Sequence, residues 1–360
     1  MTKMVRLLAT TSALGLAALA ATPAFAAGTT AGSSIVNNVS VNYTVGGVAQ
    51  TQVNASNTFV VDRRITLTVT EPGGATTPGA PAQTGVAAIF QVTNTSNAPL
   101  DFALTLTQQA TGATIVHGVT QTDDFDLTGL TLHADTNLNG SYDAGTDLVL
   151  TGNFLDEVAA DTSRTVFAVG TIPNTRINGD QAGVQLVAQA LEAGSAGTQG
   201  AVVLQTVGAN TAAMDTVFND TAGIADAVRD GQFSSRDSYT VSAATLTVLK
   251  TSVVISDPIN GTGSDRKLIP GATVEYCIQV ANAAGGATAQ APAIGDTLPA
   301  ETTYVASSTF LNATVTGGVC NAAGTAGGAF AAGPPAVVSG TLSDVAAGTT
   351  RALRFRVTIN

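Results

Sequence analysis

From Ser34 the chain alternates apolar and polar positions. Ile35, Val39, Val41, Tyr43 and Val45 are interleaved with Ser40, Asn42 and Thr44, and after Gly46-Gly47 a second extended run continues through Val53. A period of two predicts strand, and two such runs joined by a glycine pair predict a hairpin. Phe59 to Val69 continues in extended form, with Arg63-Arg64 expected in solvent, and residues 71–83, rich in Pro, Gly and Thr, read as a loop. Further strands are predicted near residues 102–107, 128–133, 148–151, 165–169 and 184–190; residues 239–249 then lead into a second unit that ends with a closing strand at 352–359. Between them, residues 192–238 form an Ala/Gly/Asp-rich excursion in which 222–228 is expected to make a short helix.

The pattern repeats within the chain. Ile65-Thr66-Leu67-Thr68-Val69 is echoed by Ala244-Thr245-Leu246-Thr247-Val248, and Phe90-Gln91-Val92-Thr93-Asn94 by Ile278-Gln279-Val280-Ala281-Asn282. Each unit opens with a Thr-Leu-Thr-Val strand, passes a Pro/Gly loop and reaches a strand ended by Asn, where a turn is favoured. Chance similarity between strands of like composition is the competing explanation. The expectation is an all-β chain with two immunoglobulin-like β-sandwich domains in tandem, at residues 27–240 and 241–360, after a leader at 1–26.

Composition supports a packed chain. Hydrophobic residues make up 44% and charged residues 11%, which favours a buried core over disorder. Lys3 and Arg6, the apolar run 7–21 and Ala24-Phe25-Ala26 have the order of a cleaved secretory leader. The run is shorter than the roughly 20 residues that cross a bilayer. The formal charge is −11, and removing Lys3 and Arg6 with the leader takes it to −13, a field that repels nucleic acid. No later segment is apolar and long enough to span a membrane, and no sorting motif or hydrophobic tail is seen. The mature chain is therefore expected to be extracellular or at the cell surface rather than periplasmic, soluble or held by partners.

Candidate chemistry is sparse. Asp135, Asn137, Asn139, Ser141 and Asp143 place oxygen side chains at alternate positions around Gly140, the spacing by which one loop wraps a hard cation. Thr146 stands where a bidentate Glu would close an EF-hand loop, and Asp147 follows one residue later. Structural calcium at Asp135, Asn137, Asn139, Ser141, Asp143 and Asp147 is the expectation; an Asn/Asp/Gly turn that binds nothing is the competing one. Asp215, Asp220, Asp226, Asp230 and Asp237 offer a second cation cluster or a solvated loop. Cys277 and Cys320 are the two cysteines, expected as a disulfide outside the cytosol, with two separate buried thiols as the alternative. Lys250, Glu275 and Asn360 are weighed as an amide cross-link promoted by a buried carboxyl. His117 and His133 read as strand residues, and no serine elbow, phosphate loop or zinc-protease helix appears, so no enzyme is expected.

The stretch from Thr245 to Asn360 resembles a known family. Lys250, Asp257-Pro258, Ile269-Pro270-Gly271-Ala272, Val274-Glu275-Tyr276, Val280, Asn282, Asp296-Thr297-Leu298-Pro299, Thr303-Tyr304-Val305 and Phe355-Arg356-Val357 carry the likeness. They resemble the bacterial surface repeat called domain of unknown function eleven, an immunoglobulin-like family. The resemblance implies an exported, non-catalytic structural or adhesive component of the envelope exterior, partnered by envelope components or by itself. Two other functions stay open: a carbohydrate- or protein-recognition module using loops at the sandwich ends, and a filament or layer subunit that assembles by strand addition.

Overall fold

The computed structural model describes residues 28–360; the expected leader lies outside them. The described chain is all-β, and its helical turn is a 3-10 turn at Thr151–Asn153. No helix among the described residues is long and apolar enough to cross a membrane.

The first element is a free-standing ribbon. Strands β1 (Ser34–Val41) and β2 (Val53–Val60) pair antiparallel over their full length, from Ser34 opposite Val60 to Val41 opposite Val53. Thr44–Val45 and Val48–Ala49 extend the ribbon to its tip. There Gly46 and Gly47 adopt φ of +56° and +85°, as a two-residue turn matching the strand twist requires. The base is fixed by Asn97, whose Nδ2 donates to Thr29 O at 3.1 Å and Asp62 O at 2.9 Å.

Strands β3 (Leu67–Thr70), β4 (Thr77–Gly79), β5 (Val86–Asn94), β6 (Leu100–Gln108), β7 (Gly112–Val116), β8 (Val119–Asp123), β9 (Thr128–Ala134), β10 (Phe154–Val158), β11 (Thr162–Thr171), β12 (Gln181–Glu192) and β13 (Gln232–Val241) build the first sandwich. One sheet has the order β9-β11-β5-β3, and the facing sheet β10-β6-β12-β13-β4, with β4 parallel to β13. Strands β7 and β8 form a separate hairpin. This is the crossed-over strand order of an immunoglobulin-like sandwich. Alternate residues of β5 (Val86, Ala88, Phe90 and Val92) face alternate residues of β12 (Val184, Leu186, Ala188 and Ala190), all at most 3% exposed. Each large apolar side chain buried in this way contributes about 2 kcal/mol.

The second set comprises β14 (Leu246–Ser256), β15 (Thr273–Asn282), β16 (Ala293–Thr297), β17 (Phe310–Ala313), β18 (Val337–Thr341) and β19 (Thr350–Ile359). One sheet runs β14-β15-β19-β17 and continues to Thr325–Ala326; the other is β16-β18 with Ala329–Ala331. Val274, Ile278 and Val280 of β15 and Leu353, Phe355 and Val357 of β19 pack against Leu298, Val338 and Leu342.

The internal echo extends to register. Leu67 lies opposite Asn94 and Val69 opposite Val92; Leu246 lies opposite Asn282 and Val248 opposite Val280. Asn94 Nδ2 donates to Ala98 O and Val158 O, and Asn282 Nδ2 to Ala287 O and Val345 O. In both units a buried amide ties the end of this strand to the segment that leads into the next strand of its sheet.

Four local expectations change. Residues 148–151 make an isolated bridge between His133 and Val149 and enter the 3-10 turn, because Gly152 takes φ of +73° and breaks the extended run. Residues 222–228 are not helical; Asp226 accepts from Gly223 N and Asp230 from Ala227 N, so side chains take the amides a helix would use. Arg63-Arg64 is not free in solvent: Arg63 grips Glu192 with both Nη atoms and Arg64 donates to Thr95 O. His117 occupies the β7–β8 turn with φ of +51°, not a strand.

Candidate functional site

Side chains capable of chemistry or recognition are spread over separate places in the fold. The loop after β9 gathers most of its expected ligands by hydrogen bonds. Asp135 accepts from Asn139 N at 3.2 Å and Gly140 N at 2.9 Å, and Asp143 accepts from Asn137 Nδ2 at 2.9 Å and Asn139 Nδ2 at 2.7 Å. Asp147 accepts from Thr136 N and Asp143 N, closing the loop across its neck. Left-handed Leu138 and Gly140, at φ of +58° and +74°, wind the chain tightly enough for this. The amides of Asn137 and Asn139 hold the Asp143 carboxyl below its ordinary range. Ser141 is exposed and contributes its backbone N to Asn139 Oδ1. His133 Nδ1 sits 2.8 Å from Asp147 O, and Tyr142 makes edge contacts with His133 and Phe167, which seat the loop on the sandwich. The side chains at these positions carry the oxygens that a hard cation takes, while here Asn137 and Asn139 turn their Nδ2 atoms to Asp143.

A second cluster draws on three distant segments. His117 Nδ1 lies 3.0 Å from Glu71 Oε2, and its Nε2 lies 3.3 Å from Asp237 Oδ1. Among the described residues these three, and not the loop acids, bring their ligand atoms within 4.8 Å of one another. Burial, together with the nearby Glu71 charge, raises the Asp237 carboxyl to about 7. The arrangement clamps the β7–β8 hairpin to β13 and to the loop after β3. Sequence reasoning missed it because the three residues are 46 and 120 positions apart, and only the folded topology makes them neighbours. The one signal was an isolated Glu ahead of a Pro-Gly-Gly turn, whose carboxylate caps Gly73 N and Gly74 N.

The remaining acids of the excursion serve its backbone. Asp215 accepts from Thr211 N and Oγ1, and Asp220 from Asp230 N and Gly231 N. Asp215, Asp220, Asp226 and Asp230 therefore fix turns one by one, while Asp237 faces His117. Asp101, which neither spacing nor neighbours single out, is fully buried and accepts from Glu157 N, Gly194 N and Gly200 N.

Cys277 and Cys320 are bonded, with Cα atoms 5.5 Å apart, joining β15 to the short strand Val319–Cys320. Gln279 Nε2 and Thr251 Oγ1 both donate to Gly318 O, so the bridge lies within a braced hairpin. Lys250, Glu275 and Asn360 are not brought together. Lys250 Nζ lies 2.7 Å from Asp296 and over the Tyr276 ring. Glu275 Oε2 accepts from Arg354 and Arg356 on the other face of the sheet. Asn360 donates to Ala300 O and accepts from Thr303 Oγ1. Opposite faces follow from register: Lys250 pairs with Ile278, whose parity places it on the face away from Glu275.

The ribbon also presents apolar side chains to solvent. Val36, Val39, Val41, Val53 and Phe59 are 52–55% exposed, and residues 34–60 hold no Asp, Glu, Lys, Arg or His. A two-stranded ribbon with apolar side chains in water is an unsatisfied surface.

No family model matches the chain, so its resemblance to domain of unknown function eleven gains no support there, and no curated protein matches it either. Solved structures similar in coverage include the Streptococcus agalactiae AgI/II polypeptide BspA C-terminal domain, at 10% identity over 82% of this chain and 91% of that one, with a TM-score of 0.26. A putative membrane-anchored protein from Corynebacterium diphtheriae shares 11% identity over 91% and 89%, with a TM-score of 0.19. The RrgB pilus protein from Streptococcus pneumoniae shares 10% over 83% and 45%, with a TM-score of 0.22. At TM-scores this low, the likenesses carry no argument about what this chain does.

Proposed function

We propose that the chain is an exported structural component of the bacterial envelope exterior that works by self-association rather than by catalysis. The observation that carries this is the uncharged ribbon β1–β2, whose Val36, Val39, Val41, Val53 and Phe59 stand more than half exposed, on a chain of net charge −11. Acidic copies repel one another, so contacts between them belong where no acid stands. The leader-like residues 1–26 and the Cys277–Cys320 bond support a compartment outside the cytosol. In this reading the Asp135–Asp147 loop takes calcium as a brace, with a dissociation constant of about 0.1–1 mM as in extracellular modules.

Sedimentation velocity over a concentration series tests the association: growth in size with concentration is expected, and a strictly monomeric chain rejects it. Calcium is tested separately. Thermal melting of the chain in calcium against chelator is expected to show stabilisation that Asp135→Ala removes, whereas identical curves reject the brace and leave the association standing.

A further inference from the structure

We propose that the β1–β2 ribbon of one copy completes the second sandwich of another copy, in the place that β12 and β13 hold in the first sandwich. This rests on the self-association reading and names the two surfaces that meet.

The two sandwiches match strand for strand until this place. Strands β3, β5, β11 and β9 are adjacent in the first, as β14, β15, β19 and β17 are in the second. In the facing sheets, β6 pairs with β10 as β16 pairs with β18. The first sandwich then adds β12 on the other edge of β6, and β13 beside it. Among the described residues, no strand pairs with that edge of β16.

The uncovered side shows in burial. Leu67 and Val69 of β3 are 1% and 2% exposed, with Tyr239 and Val241 of β13 in the same core. Their register equivalents, Leu246 and Val248 of β14, are 42% and 67% exposed. Residues directly opposite share a face, so Val248 stands on the core side beside Val280 and yet meets water. A layer of strand is missing over it.

The ribbon has the pattern of that layer. In the first sandwich the core-facing pairs of β12 and β13 are Ala182 with Tyr239, Val184 with Asp237, Leu186 with Ser235, and Ala188 with Phe233. In the ribbon one face carries Ile35 with Phe59, Asn37 with Asn57, Val39 with Ala55, and Val41 with Val53. Each is an antiparallel pair with an aromatic at the same end, on the second strand, and a polar residue of that strand, Asp237 or Asn57, two positions before it. Strand β2 also leads into β3 as β13 leads into β14: Phe59 precedes Leu67 by eight residues and Tyr239 precedes Leu246 by seven. Charge agrees, since the ribbon is neutral and Lys250, on the core side of β14, is paired with Asp296 of β16. Main-chain groups on the free edge of β16 would then pair with the incoming strand, and Leu246 and Val248 would be covered. A donor in front of one sandwich and an acceptor in the other make the contact heterologous, so copies join head to tail into an open chain.

Two double variants at exposed positions test this: V39D with V41D on the donor, and L246D with V248D on the acceptor, each checked for folding by circular dichroism. In sedimentation velocity the parent chain is expected to form a ladder of oligomers, and each variant to stay monomeric. An equimolar mixture of the two variants is expected to stop at dimers, because it retains one working donor and one working acceptor. Variants that assemble like the parent, or a mixture that stays monomeric, overturn the pairing while leaving self-association in place. A monomeric parent overturns both.

Discussion

Asn94 and Asn282 close corresponding corners, each spending both amide hydrogens on carbonyls from separate segments. Asn282 is 3% exposed, and Asn282→Ala removes its bonds to Ala287 O, Val345 O and Thr245 N, of which Val345 O keeps Ala289 N as a donor. A loss of about 3 kcal/mol is expected in urea unfolding of the second sandwich. The Asp237 carboxyl gives a pH dependence whose sign is fixed by its environment. Burial, and next the Glu71 charge, raise it from 3.8 to about 7, so the folded chain holds a proton that the unfolded chain releases. The stability that it lends is complete below 3.8 and is lost as pH rises through about 7. The imidazole of His117 and the Glu71 carboxylate face it. Asp237→Asn is expected to flatten the fall in melting temperature between these limits; a parallel fall in parent and variant would contradict the assignment.

At the scale of elements, the hairpins differ in how they are held. The one that presents Cys320 is tied to β15 by the disulfide, by Gln279 and Thr251, and by the buried pair of Arg354 with Glu275 nearby. Closing a loop with a sequence separation of 43 limits the unfolded chain by about 4 kcal/mol. Reduction is therefore expected to lower the unfolding of the second sandwich by that order and to leave the first unchanged, as followed by thermal melting with and without reductant. The β7–β8 hairpin is held at its turn by His117 and the two carboxylates. The β1–β2 ribbon is held only at its base, which leaves its faces available.

For the whole molecule, the junction between the sandwiches depends on Asn178. Its Oδ1 accepts from Ala243 N at 3.0 Å and its Nδ2 donates to Gly285 O at 3.1 Å, so one side chain of the first unit binds both the connecting segment and the second unit. Asn178→Ala is expected to speed protease cleavage within residues 242–246 while both cores melt as before; unchanged cleavage would show that the junction is held otherwise. Separate cores explain why such a change would stay local, since the large clusters around Phe90 and Phe355 share no residue.

Strand period, the glycine turn, the paired cysteines and the two-fold echo were legible in sequence because each depends on neighbours along the chain: alternation, turn conformation and local composition. The turn at 135–147 was legible for the same reason, its side-chain hydrogen bonds being set by spacing within one loop. Residue types alone did not show that Lys250 and Glu275 lie on opposite faces, since that depends on the register of β14 against β15. Nor did they join Glu71, His117 and Asp237, which meet only after β13 crosses to its sheet. The same holds for Leu246 and Val248. By sequence they match Leu67 and Val69, and only tertiary structure decides that one pair is covered by a second layer and the other is not, because burial depends on which strand lies opposite.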